Sequence, residues 1–194
     1  GDLLARHKGV DQITFTGSVP TGERVLVAAA SHAVPCNMEL GGKSPQILFA
    51  DADLDRSLPI IAGGFLTHCG QVCNAGTRLF VERSIHDKVV EKLHARIKSM
   101  KLGAGVEDPD MGPLISRSHK SDVERYYDIA RKDGELLLGA DVPTAAALAN
   151  GAFVRPGLVV GANNNTQIAR EEIFGPILTV IPFDTASEAI DGAN

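Results

Sequence analysis

The sequence predicts an α/β fold with a mostly parallel sheet flanked by helices. Short β-rich runs alternate with helical patterns along all 194 residues, the order that builds βαβ units. A chain of this length buries a hydrophobic core without disulfide or metal staples. Its composition, 44% hydrophobic and 22% charged, belongs to a globular domain and not to a disordered chain.

The elements follow in order. Ile13 to Thr16 reads as a strand, Thr21 to Ala30 as a helix of good helix formers, and Pro35 to Leu40 as a second strand. Gln46 to Phe49 reads as a third strand. Asp51 and Asp53 are candidate N-caps for the next helix, whose apolar positions Leu54, Leu58, Ile61, Ala62 and Phe65 form one stripe. Pro59 lies inside that stripe and predicts a kink or a late helix start. Arg78 to Glu82 reads as a strand, and Ser84-Ile85-His86-Asp87 fits a capping box for a helix to about Met100. After a loop from Pro109 to Ser118 comes a helix to Lys132 with Val123, Tyr126, Tyr127 and Ala130 inward, closed by Gly134. Glu135 to Gly139, Phe153 to Gly161 and Ile177 to Pro182 read as strands, and a last helix starts near Ser187. Gly41-Gly42 is the expected hinge between two structural units.

Charge and cysteine usage narrow the function. The net charge of −5, with no basic cluster, argues against nucleic acid or an anionic membrane surface as partner. No apolar run reaches the roughly 18 residues of a membrane helix. Three cysteines without a secretory signal point to a reducing compartment, hence the cytoplasm. The chain begins Gly1-Asp2 without Met and ends abruptly at Asn194, as a piece of a longer protein would.

Four segments carry chemistry. In His68-Cys69-Gly70-Gln71-Val72-Cys73-Asn74-Ala75-Gly76-Thr77-Arg78, Cys73 falls after a helix among glycines. There a thiol meets substrate and backbone N–H groups meet an oxyanion. Cys36, in an apolar strand, reads as buried and inert. A zinc site from His68, Cys69 and Cys73 is the alternative, but the Cys-x₃-Cys spacing has no second pair. In Met38-Glu39-Leu40-Gly41-Gly42-Lys43-Ser44-Pro45, Glu39 ends a strand. It is an ordinary strand-end carboxylate or, partly buried against apolar neighbours, a general base. Phe15-Thr16-Gly17-Ser18-Val19-Pro20-Thr21-Gly22 sets a glycine turn before a helix N-terminus that suits phosphate. Arg170-Glu171-Glu172-Ile173-Phe174-Gly175-Pro176 is, by pattern, a polar segment before a strand.

Together and in this order the four segments resemble the aldehyde dehydrogenase superfamily. The resemblance implies a catalytic-domain fragment: residues 43–194 form most of the catalytic domain, and residues 1–42 the end of a Rossmann-like cofactor-binding domain with its hinge. It implies NAD or NADP as cofactor, an aldehyde as substrate, and a homo-oligomeric parent, dimer or tetramer. Cys73 matches the nucleophile, its backbone N–H one oxyanion donor, and Glu39 the base that activates water. Gly17 and Ser18 match the turn near the cofactor's phosphates and nicotinamide, and Gly22 the glycine that closes it. Leu40 matches a residue whose backbone lies near the nicotinamide. Glu172 matches the carboxylate that holds ribose hydroxyls, and Phe174 the aromatic beside the nicotinamide ribose. The family's second oxyanion donor, an asparagine, and much of its cofactor site have no counterpart in these residues.

Three alternatives stand beside this reading. A CoA-acylating member transfers the acyl group to a thiol, but such enzymes usually lack the glutamate. A non-catalytic fragment has no need of a reactive thiol. A cysteine hydrolase pairing Cys73 with His32 or His68 lacks a recognisable group to orient either histidine.

Overall fold

The computed structural model describes residues 1–141 and 146–194, which divide into two compact units, Gly1–Gly42 and Lys43–Asn194. The first unit runs α1 (Asp2–Ala5), β1 (Ile13–Thr16), α2 (Val19–Ala30) and β2 (Cys36–Glu39). Its strands pair in parallel, with Ile13 opposite Cys36 and Thr16 opposite Glu39, so α2 is the crossover of a small βαβ unit. Cys36 is only half-buried here. The two-stranded sheet gives its alternating side chains partial cover and not the full burial that the apolar pattern predicts.

The second unit runs β3 (Pro45–Leu48), α3 (Leu54–Leu66), β4 (Arg78–Glu82), α4 (His86–Lys98), α5 (Arg117–Asp133) and β5 (Glu135–Leu138). It continues through α6 (Ala146–Ala149), β6 (Gly157–Val160), α7 (Gln167–Arg170), β7 (Ile177–Phe183) and α8 (Ala186–Ala193). Its sheet has the order β3-β4-β7-β6-β5. Every neighbouring pair is parallel except β5–β6, which is antiparallel with an irregularity between Leu136 and Leu138. Pro45, which has no N–H to give, opens the edge strand β3, where that loss is tolerated.

The central strands β4 and β7 are nearly continuous apolar runs, as a sheet covered on both faces requires. Successive residues of β4 point to opposite faces. Leu79 and Val81 join the core cluster with Phe65 of α3, Leu93 of α4 and Val123 of α5. Phe80 faces the other way, into a smaller cluster with Ala169, Phe183 and Ala189.

Local signals are partly redirected by this packing. Asp53, not Asp51, caps α3, its carboxylate accepting from the Asp55 and Arg56 amides at 3.0 and 3.3 Å. The helix starts on time and runs through Pro59, which has no N–H to donate to the Asp55 carbonyl. The capping box at Ser84 does not form. The Ser84 hydroxyl donates instead to Glu82 Oε1 at 3.2 Å, and α4 begins at His86 after a short 3₁₀ turn, with no side-chain cap. Gly134 closes α5 in an extended conformation, φ −168°. Glycine is needed there for closeness: an added Cβ would come within 2.5 Å of the Val160 carbonyl oxygen. Among the described residues no helix is long and apolar enough to cross a membrane.

Candidate active site

In the first unit, the chain leaves β1 at Thr16, turns at Gly17-Ser18 and enters α2. The Gly17 N–H donates to the Glu39 carbonyl at 3.1 Å, which ties the turn to the end of β2. Ser18 is the N-cap, its hydroxyl paired with Thr21 Oγ1 at 3.0 Å, and Gly17 and Ser18 are exposed. The first turn of α2 carries no acidic residue, so its positive end is open to an anion. Gly22 is buried beneath Leu40, whose Cδ2 would lie 2.6 Å from an added Cβ. Glu39 itself is exposed. The partial burial expected of it is absent, because its strand position faces outward.

In the second unit, α3 ends in a short 3₁₀ turn, Thr67–Gly70, in which His68 and Cys69 are left-handed at φ 50° and 60° and Gly70 follows at 72°. Cys69 is buried, and its thiol donates toward the carbonyls of Gly112 and Pro113 at 3.3 and 3.5 Å. Burial pushes that thiol's pKa up, against the smaller effect of the Gly112 bond. Cys73 is exposed, on a turn closed by the Ala75 N–H to the Val72 carbonyl at 3.1 Å. Gln46 of β3 holds the downstream limb, its amide donating to Gly76 O at 2.7 Å and Ile61 O at 3.2 Å. The chemistry follows from this contrast. Cys69 is a packed, less acidic thiol, whereas Cys73 is presented to solvent.

The segment around Phe174 packs on the same loop. Gly70 lies so close to the Gly175 carbonyl that a Cβ on it would come within 2.4 Å of that oxygen. Phe174 is left-handed at φ 55° and 39% exposed, an uncommon backbone for a bulky residue. Its carbonyl accepts a hydrogen bond from His119 Nε2 at 2.7 Å. Glu171 accepts from the Tyr126 hydroxyl at 2.9 Å and from Gln167, and Glu171 and Glu172 are both exposed.

The model of the aldehyde dehydrogenase family matches residues 1–194. The chain belongs to the aldehyde dehydrogenase family. It is 42% identical to betaine aldehyde dehydrogenase of Bacillus subtilis over 196 residues and 38% identical to human 4-trimethylaminobutyraldehyde dehydrogenase over 199. Each alignment covers 100% of this chain and 40% of the relative. A crystal structure of betaine aldehyde dehydrogenase from Staphylococcus aureus in complex with NAD+ superposes with a TM-score of 0.96 at 39% identity, covering 100% of this chain and 39% of that one. The chain thus spans about 40% of the length of these relatives.

Within this aldehyde dehydrogenase chain the structure brings Gly17 to Glu39 and Gly22 to Leu40 in the first unit. In the second it brings the cysteine loop to Phe174-Gly175. Sequence reasoning passes over Lys43, Arg78, Gln71 and His119. Arg78 donates to the Lys43 carbonyl at 2.6 and 3.0 Å, to Asn164 Oδ1 at 2.9 Å, and to the carbonyls of Gly192 and Ala193. It thereby joins the start of this unit to its end. The Lys43 ammonium nitrogen is buried without a hydrogen-bond partner among the described residues. Its pKa is pushed down to about 7 by burial and then by the Arg78 guanidinium, against the pull of Glu172 and Glu171. The only sequence signals for Lys43, Arg78 and Gln71 are their places inside the motif segments, and His119 lies outside all four of them.

A stability prediction follows for Lys43. Its folded pKa lies below the ordinary 10.5, so between these two values the unfolded chain binds more protons. The destabilisation is complete below pH 7 and is relieved as pH rises toward 10.5. Lys43→Met is expected to raise the thermal midpoint over wild type by more at pH 6 than at pH 10. A gain independent of pH, or a loss at pH 6, in paired melting curves contradicts this.

Proposed function

We propose that the full-length protein oxidises an aldehyde to a carboxylic acid with NAD+, or NADP+ as the alternative acceptor. The observation that carries the proposal is the contrast among the thiols: Cys73 is exposed on a turn between α3 and the buried strand β4, while Cys69 is buried and Cys36 half-buried. Cys73 Sγ adds to the carbonyl carbon, and the π pair moves to oxygen, where the Cys73 N–H donates to the new oxyanion. A bound NAD+ would supply the hydride acceptor; the Cys73 adduct gives up hydride from its tetrahedral carbon as the C=O bond re-forms, which leaves a thioester on Cys73. Glu39 then takes a proton from water as the water attacks the thioester carbon. The C–S bond breaks, the acid leaves and the Cys73 thiolate returns.

The residues present fit the cofactor by their chemistry. The open N-terminus of α2 behind Gly17 and Ser18 suits a pyrophosphate, with Gly22 and Leu40 packed behind that turn. The exposed Glu172 carboxylate suits a ribose diol. The left-handed backbone at Phe174 holds an aromatic ring partly exposed, as a group that packs on a ribose must be. We assign residues 1–42 to the end of the cofactor-binding domain and 43–194 to the catalytic domain. We also propose a cytoplasmic location, in keeping with the three free cysteines of the described residues, and a dimeric or tetrameric parent, which rests on the family resemblance.

Relatives named for betaine aldehyde and 4-trimethylaminobutyraldehyde make trimethylammonium aldehydes the first substrates to test. The full-length protein with NAD+ and betaine aldehyde is expected to form reduced cofactor and carboxylic acid in equal amounts without coenzyme A. Product formed only when coenzyme A is present, and released as an acyl thioester, would establish the CoA-acylating reaction instead.

A further inference from the structure

We infer that Gln71 is a positioning residue for the Cys73 thiol, an inference that rests on Cys73 being the nucleophile. The loop that leads to Cys73 is held in an unfavourable shape, with His68 and Cys69 left-handed and Gly70 after them. Such a run persists only where surrounding contacts fix it. Gln71 supplies contacts in two directions from one planar amide. Its Nε2 donates to the His68 carbonyl at 2.9 Å, and its Oε1 accepts from the Ile115 N–H at 2.9 Å. The Gln71 backbone N–H reaches the same His68 carbonyl at 3.1 Å.

The far end of this link is firm. Ile115 precedes Ser116, whose hydroxyl accepts from the His119 N–H at 3.1 Å and caps α5. That helix is anchored by its buried Val123, Tyr126, Tyr127 and Ala130. His119 then holds the Phe174 carbonyl. The start of α5 therefore supports both the cysteine loop, through Gln71, and the Phe174 segment, through His119. When the Gln71 amide is removed, the loop is the part free to relax, and Cys73 lies two residues further on.

The chemistry of the amide sets the variants. Methionine keeps the length of Gln71 and loses donor and acceptor. Glutamate keeps an acceptor for Ile115 but cannot donate to His68. In the full-length protein with NAD+ and betaine aldehyde, Gln71→Met is expected to lower the burst rate constant about 10–100-fold, the scale of a small misplacement of a reacting group. The dissociation constant for NAD+ and the thermal midpoint should stay near wild type. Gln71→Glu should show a smaller loss in the same burst rate. A burst rate within about twofold of wild type in folded Gln71→Met, or a loss confined to NAD+ affinity and melting, overturns the positioning role. If Gln71→Met does not fold, Gln71→Glu decides by the same criteria. Cys73→Ser is run in parallel: a burst surviving there refutes Cys73 as nucleophile, and the role of Gln71 falls with it. A burst lost in Cys73→Ser but unchanged in the Gln71 variants refutes the positioning alone.

Discussion

Cys73→Ala in the full-length protein is expected to abolish formation of reduced cofactor, in the first turnover and in the steady state, by a factor on the order of 10⁴ or more. The reason is the order of bond making. A hydride leaves only from a tetrahedral carbon, so the thiol must add before anything can be reduced. Alanine at an exposed turn position removes one sulfur and disturbs no core, so the melting temperature should be near that of wild type. Cys36 and Cys69 remain in this variant and test the assignment from within. Residual burst activity sensitive to a thiol reagent would move the nucleophile to one of them.

Glu39→Gln is expected to separate the two halves of the reaction. In the proposed reaction the thioester forms without a base for water, so the burst should approach about one equivalent of reduced cofactor per active site. Turnover should then fall by something like 10²–10⁴-fold, the usual contribution of a general base. Glutamine has nearly the same volume, and Glu39 is exposed at the end of β2, so no packing defect is expected. Stopped-flow traces of reduced cofactor decide the matter. A missing burst would mean that Glu39 also activates the thiol. An unchanged steady-state rate would leave it an ordinary strand-end carboxylate.

The parts of the fold that depend on periodic burial are legible in the sequence. Leu79-Phe80-Val81 and the run from Ile177 announce central strands because both faces of the sheet are covered. Val123, Tyr126, Tyr127 and Ala130 announce α5 because one face of it meets the core. What is not legible depends on which distant group competes for a local one. Ser84 has the spacing of a cap, yet the Glu82 carboxylate takes its hydroxyl. Gly134 reads as a helix stop and is one, but the sequence does not show that it is an extended residue pressed against β6.

The candidate site divides the same way. Its four segments stand out as motifs, and Cys73 is separable from Cys69 by its place after the glycine. The left-handed backbone at His68, Cys69 and Phe174 is invisible in the sequence, because no glycine marks it and tertiary contacts impose it. The buried amine of Lys43 is hidden for a similar reason: burial of a long cationic side chain is decided by what folds over it, not by its neighbours in the chain.

Mass spectrometry of the acid-quenched Glu39→Gln enzyme, mixed with NAD+ and betaine aldehyde and then digested, tests the central assignment most directly. The acyl group should be found on the peptide that contains Cys73, in an amount equal to the burst of reduced cofactor. An acyl group on Cys36 or Cys69, or a full burst with no acyl group on any cysteine, would contradict it.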